Sequence, residues 1–171
     1  MVLLRHSKIE IGQAADVAKV FQDLLNLEDQ IDQDKEHFYV MHLDSHKRIN
    51  LVELVAIGTL TSATIHPRET YRRAVSEGAF SIIIAHNHPS GDPTPSEADV
   101  LITKTLRTAG EIVDILMLDH IIFTPTRFYS FLANKTEHYA ILTNPKQTHA
   151  ETYAMKKYSM EGGEAKDGIS K

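Results

Sequence analysis

Ala79-Phe-Ser-Ile-Ile-Ile-Ala-His-Asn-His-Pro-Ser-Gly-Asp-Pro-Thr-Pro-Ser-Glu-Ala-Asp99 decides how this chain folds. Its first part, Ala79 to Ala85, is almost wholly apolar, the pattern of a strand buried on both faces. A loop rich in Pro, Gly and Asn follows from His86 to Pro95. Ser96 then opens a helix expected to run to Ala109 and to end at Gly110. His86 and His88 leave the strand end two residues apart, so in an extended chain both imidazoles point the same way. Asp99 falls on the first turn of the helix. Pro89, Pro93 and Pro95 stiffen the loop between them, and Gly91 allows a sharp turn. Two imidazole nitrogens and one carboxylate oxygen on rigid supports make a three-ligand metal site with room for water. Catalytic zinc is held in this way, whereas structural zinc is closed off by four protein ligands.

The same residues have other readings. Ser96-x-x-Asp99 at a helix start is also a capping box, which explains both side chains without any metal. Asp92 is a rival ligand, although Gly91-Asp92-Pro93 reads better as a turn.

Outward from this stretch, strands and helices alternate. Gly12 to Leu27 carries Val17, Val20, Phe21, Leu24 and Leu25 at the spacing of one helix face. An acid-rich linker, Asn26 to Glu36, follows. His37 to Asp44 and Ile49 to Ile57 read as a hairpin around Asp44-Ser-His-Lys-Arg48. Gly58 and Thr59 break the second strand, and Thr61 to Ile65 is a candidate to resume it. Pro67 suits the first position of a helix reaching Glu77, stopped by Gly78. Val113 to Leu118 and His120 to Phe123 read as two strands or one bent one. Beyond Lys135 the pattern weakens, and Glu161 to Lys171 reads as a flexible tail. The expectation is an α/β domain of two or three layers.

Composition narrows the chemistry. The 171 residues suffice for about one domain with a real core, and 42% apolar content rules out wholesale disorder. The absence of cysteine excludes disulfides, thiolate zinc sites and iron–sulfur clusters. A formal charge of −5 disfavours direct nucleic-acid binding. No apolar run approaches the roughly 20 residues of a spanning helix. Met1 to Ser7 does not read as a signal peptide, so a cytoplasmic location is expected.

His86-x-His88, seven residues, Ser96, two residues and Asp99 together resemble the signature of the JAMM (JAB, MPN+) metallopeptidases. The RadC-like branch is closer still. Gly58-Thr-Leu60, His66-Pro-Arg-Glu69, His86 to Pro93 and Leu118-Asp-His-Ile-Ile122 resemble its blocks, in order. The likeness covers about Glu36 to Leu132. It implies a JAMM/JAB-type, cytidine-deaminase-like α/β sandwich, with a mixed curved sheet flanked by helices. The expected organisation is an N-terminal helical segment (1–35), the JAMM domain (36–135) and a partly flexible C-terminal extension (136–171). Some 35 residues before the first strand are too few for the helix-hairpin-helix module of many RadC-like proteins, so a JAMM-domain-only member is expected.

The resemblance also implies roles. His86, His88 and Asp99 would bind one zinc ion per chain, with water as fourth ligand. Glu53 would be the general acid/base and Ser96 the oxyanion donor in hydrolysis of a peptide or isopeptide amide. The partner would be a peptide or protein substrate, with no membrane and no direct nucleic-acid contact. A carboxylate in the apolar strand Leu51-Val-Glu-Leu-Val55 needs a partner on physical grounds alone. Glu69 is the substitute base, His66 and Arg68 belong to a helix start, and His120 is either a support for a ligand or a packed core residue. His37, His42 and His46 read as surface or edge residues. Competing functions are a non-catalytic JAMM-fold binding module, an accessory protein of DNA repair, and a non-haem iron oxygenase built on two His and one carboxylate. A zinc nucleobase deaminase would need cysteines the chain lacks.

Overall fold

The computed structural model describes residues 1–5, 9–58 and 65–138. Its centre is a seven-stranded mixed sheet in the order β1-β3-β2-β4-β5-β6-β7. β2 (His37–Leu43) and β3 (Ile49–Ile57) form the expected hairpin, antiparallel throughout. β4 (Ser81–Asn87) and β5 (Leu116–Phe123) are the parallel pair, and α4 (Glu97–Val113) crosses between them. β1 (Val2–Arg5), β6 (Arg127–Ser130) and β7 (Lys135–His138) extend the sheet at its two edges. These edge strands are too short to show a periodicity in the sequence.

Alternation along β2 splits the core in two. Tyr39, Met41 and Leu43 face α1 (Ala14–Leu25), whose Val17, Val20, Phe21 and Leu24 complete one cluster. Phe38 and Val40 face the other way, with Ile82 and Ile84 of β4, and are covered by α3 (Pro67–Ser76) and α4 through Tyr71, Ala74 and Leu106. The result is a three-layer α/β/α sandwich, and the reading of β4 as buried on both faces holds along its length. A short helix, α2 (Gln30–Gln33), interrupts the acidic linker.

Several boundaries differ from expectation. The bent strand is one strand, β5. α4 does not end at Gly110 but runs to Val113, where Asp114 takes the left-handed conformation at φ 56°. Gly110 serves packing instead. A Cβ there would lie 2.4 Å from the Tyr71 hydroxyl and 2.6 Å from the Ile115 carbonyl oxygen. The glycine thus lets α3 close on α4, and Tyr71 donates to the Leu106 carbonyl at 2.9 Å. Gly78 stops α3 as expected, at φ 64°. Thr59 to Thr64 and the stretch from Tyr139 onward lie outside the described residues. Of the Gly58-Thr-Leu60 block, only Gly58 is therefore described, and the C-terminal extension only as far as β7.

Candidate metal centre

Because β4 and β5 run parallel, the crossover loop emerges at their carboxyl ends, where open α/β sheets place their ligand sites. His86 and Asn87 end β4, both buried. The pairing with β5 continues one residue further, His88 N–H donating to the Phe123 carbonyl at 2.9 Å. The loop is held by its own bonds. Gly91 turns at φ 81°, Arg127 donates to the Gly91 carbonyl, and the Asp92 carboxylate accepts from Thr94 N–H and hydroxyl. Asp92 is thus occupied by the turn, and the structure sets it aside as a ligand.

His86, His88 and Asp99 come together, with one potential ligand atom from each lying within 4.8 Å of the others. It is the one cluster of this kind among the described residues. Nε2 of His86 lies 3.0 Å from Nε2 of His88 and 3.1 Å from Oδ1 of Asp99. His86 and Asp99 are fully buried. His88 Nδ1 faces the Asp92 carbonyl at 2.8 Å. A carbonyl only accepts, so Nδ1 carries the proton and the Nε2 lone pair turns into the cluster. Asp99 Oδ1 is buried without a hydrogen-bond partner. An orphaned carboxylate oxygen costs free energy unless something positive meets it. Lone pairs converging on one point are what a divalent cation requires, and the nitrogen and oxygen donor set suits zinc.

The surrounding charge follows. Burial holds the His86 imidazole below its ordinary pKa despite the Asp99 carboxylate. His88 is also disfavoured by burial, but Asp99 and the Asp92 carbonyl outweigh it and raise its pKa. Asp99 is partly penalised by burial, yet the two imidazoles and Ser96 hold its carboxyl far below the usual range.

Ser96 forms the capping box. Its hydroxyl donates to Asp99 Oδ2 at 2.6 Å and accepts from Asp99 N–H, while Ser96 N–H donates to the same Oδ2. Oδ2 is thereby held, and Oδ1 is left to the cluster. In this arrangement the hydroxyl proton is directed at the Asp99 carboxylate. Ser96→Ala should lower stability by about 1 kcal/mol through the lost cap and weaken metal binding through the freed carboxylate. Thermal melts of the metal-free protein and metal titrations check the two separately.

Glu53 lies elsewhere. It is buried on β3 with both oxygens committed, Oε1 to His42 Nε2 at 3.0 Å and Oε2 to Arg73 Nε at 2.8 Å. Val40 pairs with Glu53 on one side and Ile84 on the other. Glu53 is therefore two strands from β4 and one side-chain row from His86, roughly 10 Å across and 7 Å along the sheet. The partner demanded by its burial is this ion pair. Burial alone would raise its pKa, but His42 and Arg73 prevail and lower it. A depressed folded-state pKa adds stability above the ordinary value of 4.5 that is lost as pH falls through and below it. Glu53→Gln should therefore cost about 1–3 kcal/mol near pH 7. The difference from wild type should shrink below pH 4.5, and denaturant titrations at both pH values test this.

Another carboxylate, Glu36, acts on the cluster electrostatically, and Glu53 is not among the groups that shift its histidines. The antiparallel β2–β4 ladder starts at the Phe38–His86 pair, and Glu36, two residues before Phe38, lies near enough to act on both His86 and His88. Asn87, between the two histidines, clamps this spot. Its Oδ1 accepts from His37 N–H at 2.7 Å and its Nδ2 donates to the Lys35 carbonyl at 2.8 Å. Glu36 is half-buried between those two bonds, and its charge favours the protonated form of both His86 and His88. The sequence signal was a carboxylate two residues before the apolar face of β2, hidden in an acid-rich linker.

The other histidines also need correction. His37 and His42 are fully buried, not surface or edge residues, while His46 is exposed. His66 caps α3, and Arg68 is exposed beside Glu69, as a helix start requires. His120 touches His86 directly.

The fold is an α/β/α sandwich with a two-histidine, one-aspartate cluster that could hold a metal ion at the mouth of its parallel strands. The RadC-like JAB domain family matches residues 11–138, and the chain belongs to that family. A UPF0758 protein of Chlorobium chlorochromatii is 51% identical over 100 residues, covering 58% of this chain and 45% of that protein. One of Desulforamulus reducens is 47% identical over 106 residues, 62% of this chain and 47% of the relative. One of Chlorobium phaeovibrioides is 42% identical over 130 residues, 76% and 56% respectively. The chain thus spans about half the length of the curated relatives it matches. No helix of the described residues is long and apolar enough to cross a membrane.

Proposed function

We propose that this domain is a zinc-dependent hydrolase of peptide or isopeptide amide bonds. The observation that carries the reading is the convergence of His86, His88 and the unpartnered Asp99 Oδ1 on one point. Those three residues would hold one zinc ion. Zinc bound there supplies Lewis acidity, acidifying water and polarising a carbonyl.

The chain's own groups do the rest. Glu36, close to both His86 and His88, takes the proton from the attacking water and delivers it to the leaving amine. Glu36 replaces Glu53 in this role because both oxygens of Glu53 are bound in its ion pair. Ser96 and the α4 start hold Asp99, and the Ser96 hydroxyl turns from Oδ2 to donate to the developing oxyanion. The partner is a peptide or protein substrate met in the cytoplasm. The charge of −5 speaks against direct contact with nucleic acid.

A screen of peptide and isopeptide substrates, with and without chelator, tests the reading. Chelator-sensitive cleavage restored by zinc is expected. A zinc-loaded protein that cleaves no amide across the screen favours the alternative, a binding module that keeps the fold and metal.

A further inference from the structure

The Leu118-Asp-His block has no part in the site so far, yet His120 is fully buried against a ligand. Its Nε2 lies 2.9 Å from His86 Nδ1, and its Nδ1 lies 2.6 Å from the Thr103 hydroxyl. The Thr103 hydroxyl also bonds the Asp99 backbone carbonyl, one helical turn earlier on α4.

For a neutral His120, one proton order satisfies the contacts of Thr103, His120 and His86 Nδ1. A carbonyl cannot donate, so the single Thr103 hydroxyl proton goes to Asp99 O. The Thr103 oxygen must then accept, so His120 Nδ1 carries a proton. A neutral His120 is left with a lone pair on Nε2, which accepts from His86 Nδ1–H. His86 is thereby fixed with its own Nε2 lone pair facing His88 and Asp99. The relay starts and ends on the same ligand residue, since Asp99 offers its backbone to Thr103 and its side chain to the cluster.

His120 is itself held. Phe131 stacks on its ring at 4.8 Å, and Phe38 meets its edge. Asp119 secures the turn that carries Phe131, accepting from Ser130 hydroxyl at 2.6 Å and Leu132 N–H at 2.9 Å.

We propose that Thr103 and His120 are positioning residues that lock His86 in the Nδ1–H tautomer, with Asp119 fixing the aromatic lid over His120. This deepens the metal-site reading and rests on it for its effect on binding. Groups behind a ligating histidine set its tautomer and orientation, and their loss typically costs about 10–100-fold in metal affinity.

The test combines nitrogen NMR of the histidines in metal-free protein with zinc titration against a competing chelator. Wild type and Thr103→Ser should show both His86 and His120 as Nδ1–H. Thr103→Val keeps the shape but loses the hydroxyl. It should lose the His120 signature and bind zinc about 10–100-fold more weakly, with little change in the metal-free melting temperature. An Nε2–H tautomer at His86 in wild type, or wild-type affinity in Thr103→Val, would overturn the relay. A wild type that binds no zinc would overturn the metal reading instead, and the tautomers in that same sample still decide the relay without any variant.

Discussion

Glu36→Gln should lower amide cleavage by roughly 10²–10⁴ while leaving zinc content at the wild-type level. Glutamine keeps the size of the side chain and can still hydrogen-bond. It cannot take a proton from water or return one to the leaving amine. Glu36 acts electrostatically on both His86 and His88 and is flanked by the two backbone groups that Asn87 binds. Its backbone, whose carbonyl accepts from Gly58 N–H at 2.8 Å, is unaffected by the substitution. Glu53→Gln is the control. It should reduce stability, with a far smaller effect on turnover, because its carboxylate serves His42 and Arg73. If Glu53→Gln abolished turnover and Glu36→Gln did not, the proton-transfer assignment would be reversed.

The second large effect is expected at Asp99. In wild type, zinc at about 1,000 times its dissociation constant should stabilise the fold by about 4 kcal/mol. For a chain of this size that is a rise in melting temperature on the order of 10 °C. Asp99→Ala should abolish the rise. The metal-free variant should itself melt below wild type, because the ionised Asp99 carboxylate, held by Ser96 and the two imidazoles, adds stability that alanine loses. Melting curves with and without zinc read both quantities. An undiminished zinc-induced rise in Asp99→Ala would show that the cation binds elsewhere.

How much of this could be read from the sequence depended on distance along the chain. The strand, stiff loop and helix from Ala79 to Asp99 were legible because each uses a local rule: an apolar run, proline and glycine punctuation, a serine cap. The two histidines and Asp99 fall within fourteen residues of one another, so strand alternation and helix position suffice to aim them together. Glu36 was not legible. Its nearness to His86 and His88 depends on the pairing of β2 with β4, which joins segments far apart in sequence. The burial of Glu53 was rightly taken to need a partner. That its partners are Arg73 of α3 and His42 of β2 again depends on tertiary packing. His37 and His42 were misread because a histidine in an antiparallel strand gives no sign of which face is covered. Gly110 looked like a helix stop because the approach of Tyr71 cannot be seen from α4 alone.

The most direct measurement is the metal content of the purified protein. It should be made on wild type and on His88→Ala after equilibration with zinc and removal of the excess. About one zinc per chain in wild type and essentially none in His88→Ala is the predicted result. A wild type that takes up no metal, or a His88→Ala variant that retains a full equivalent, would contradict the assignment of His86, His88 and Asp99 as a metal centre.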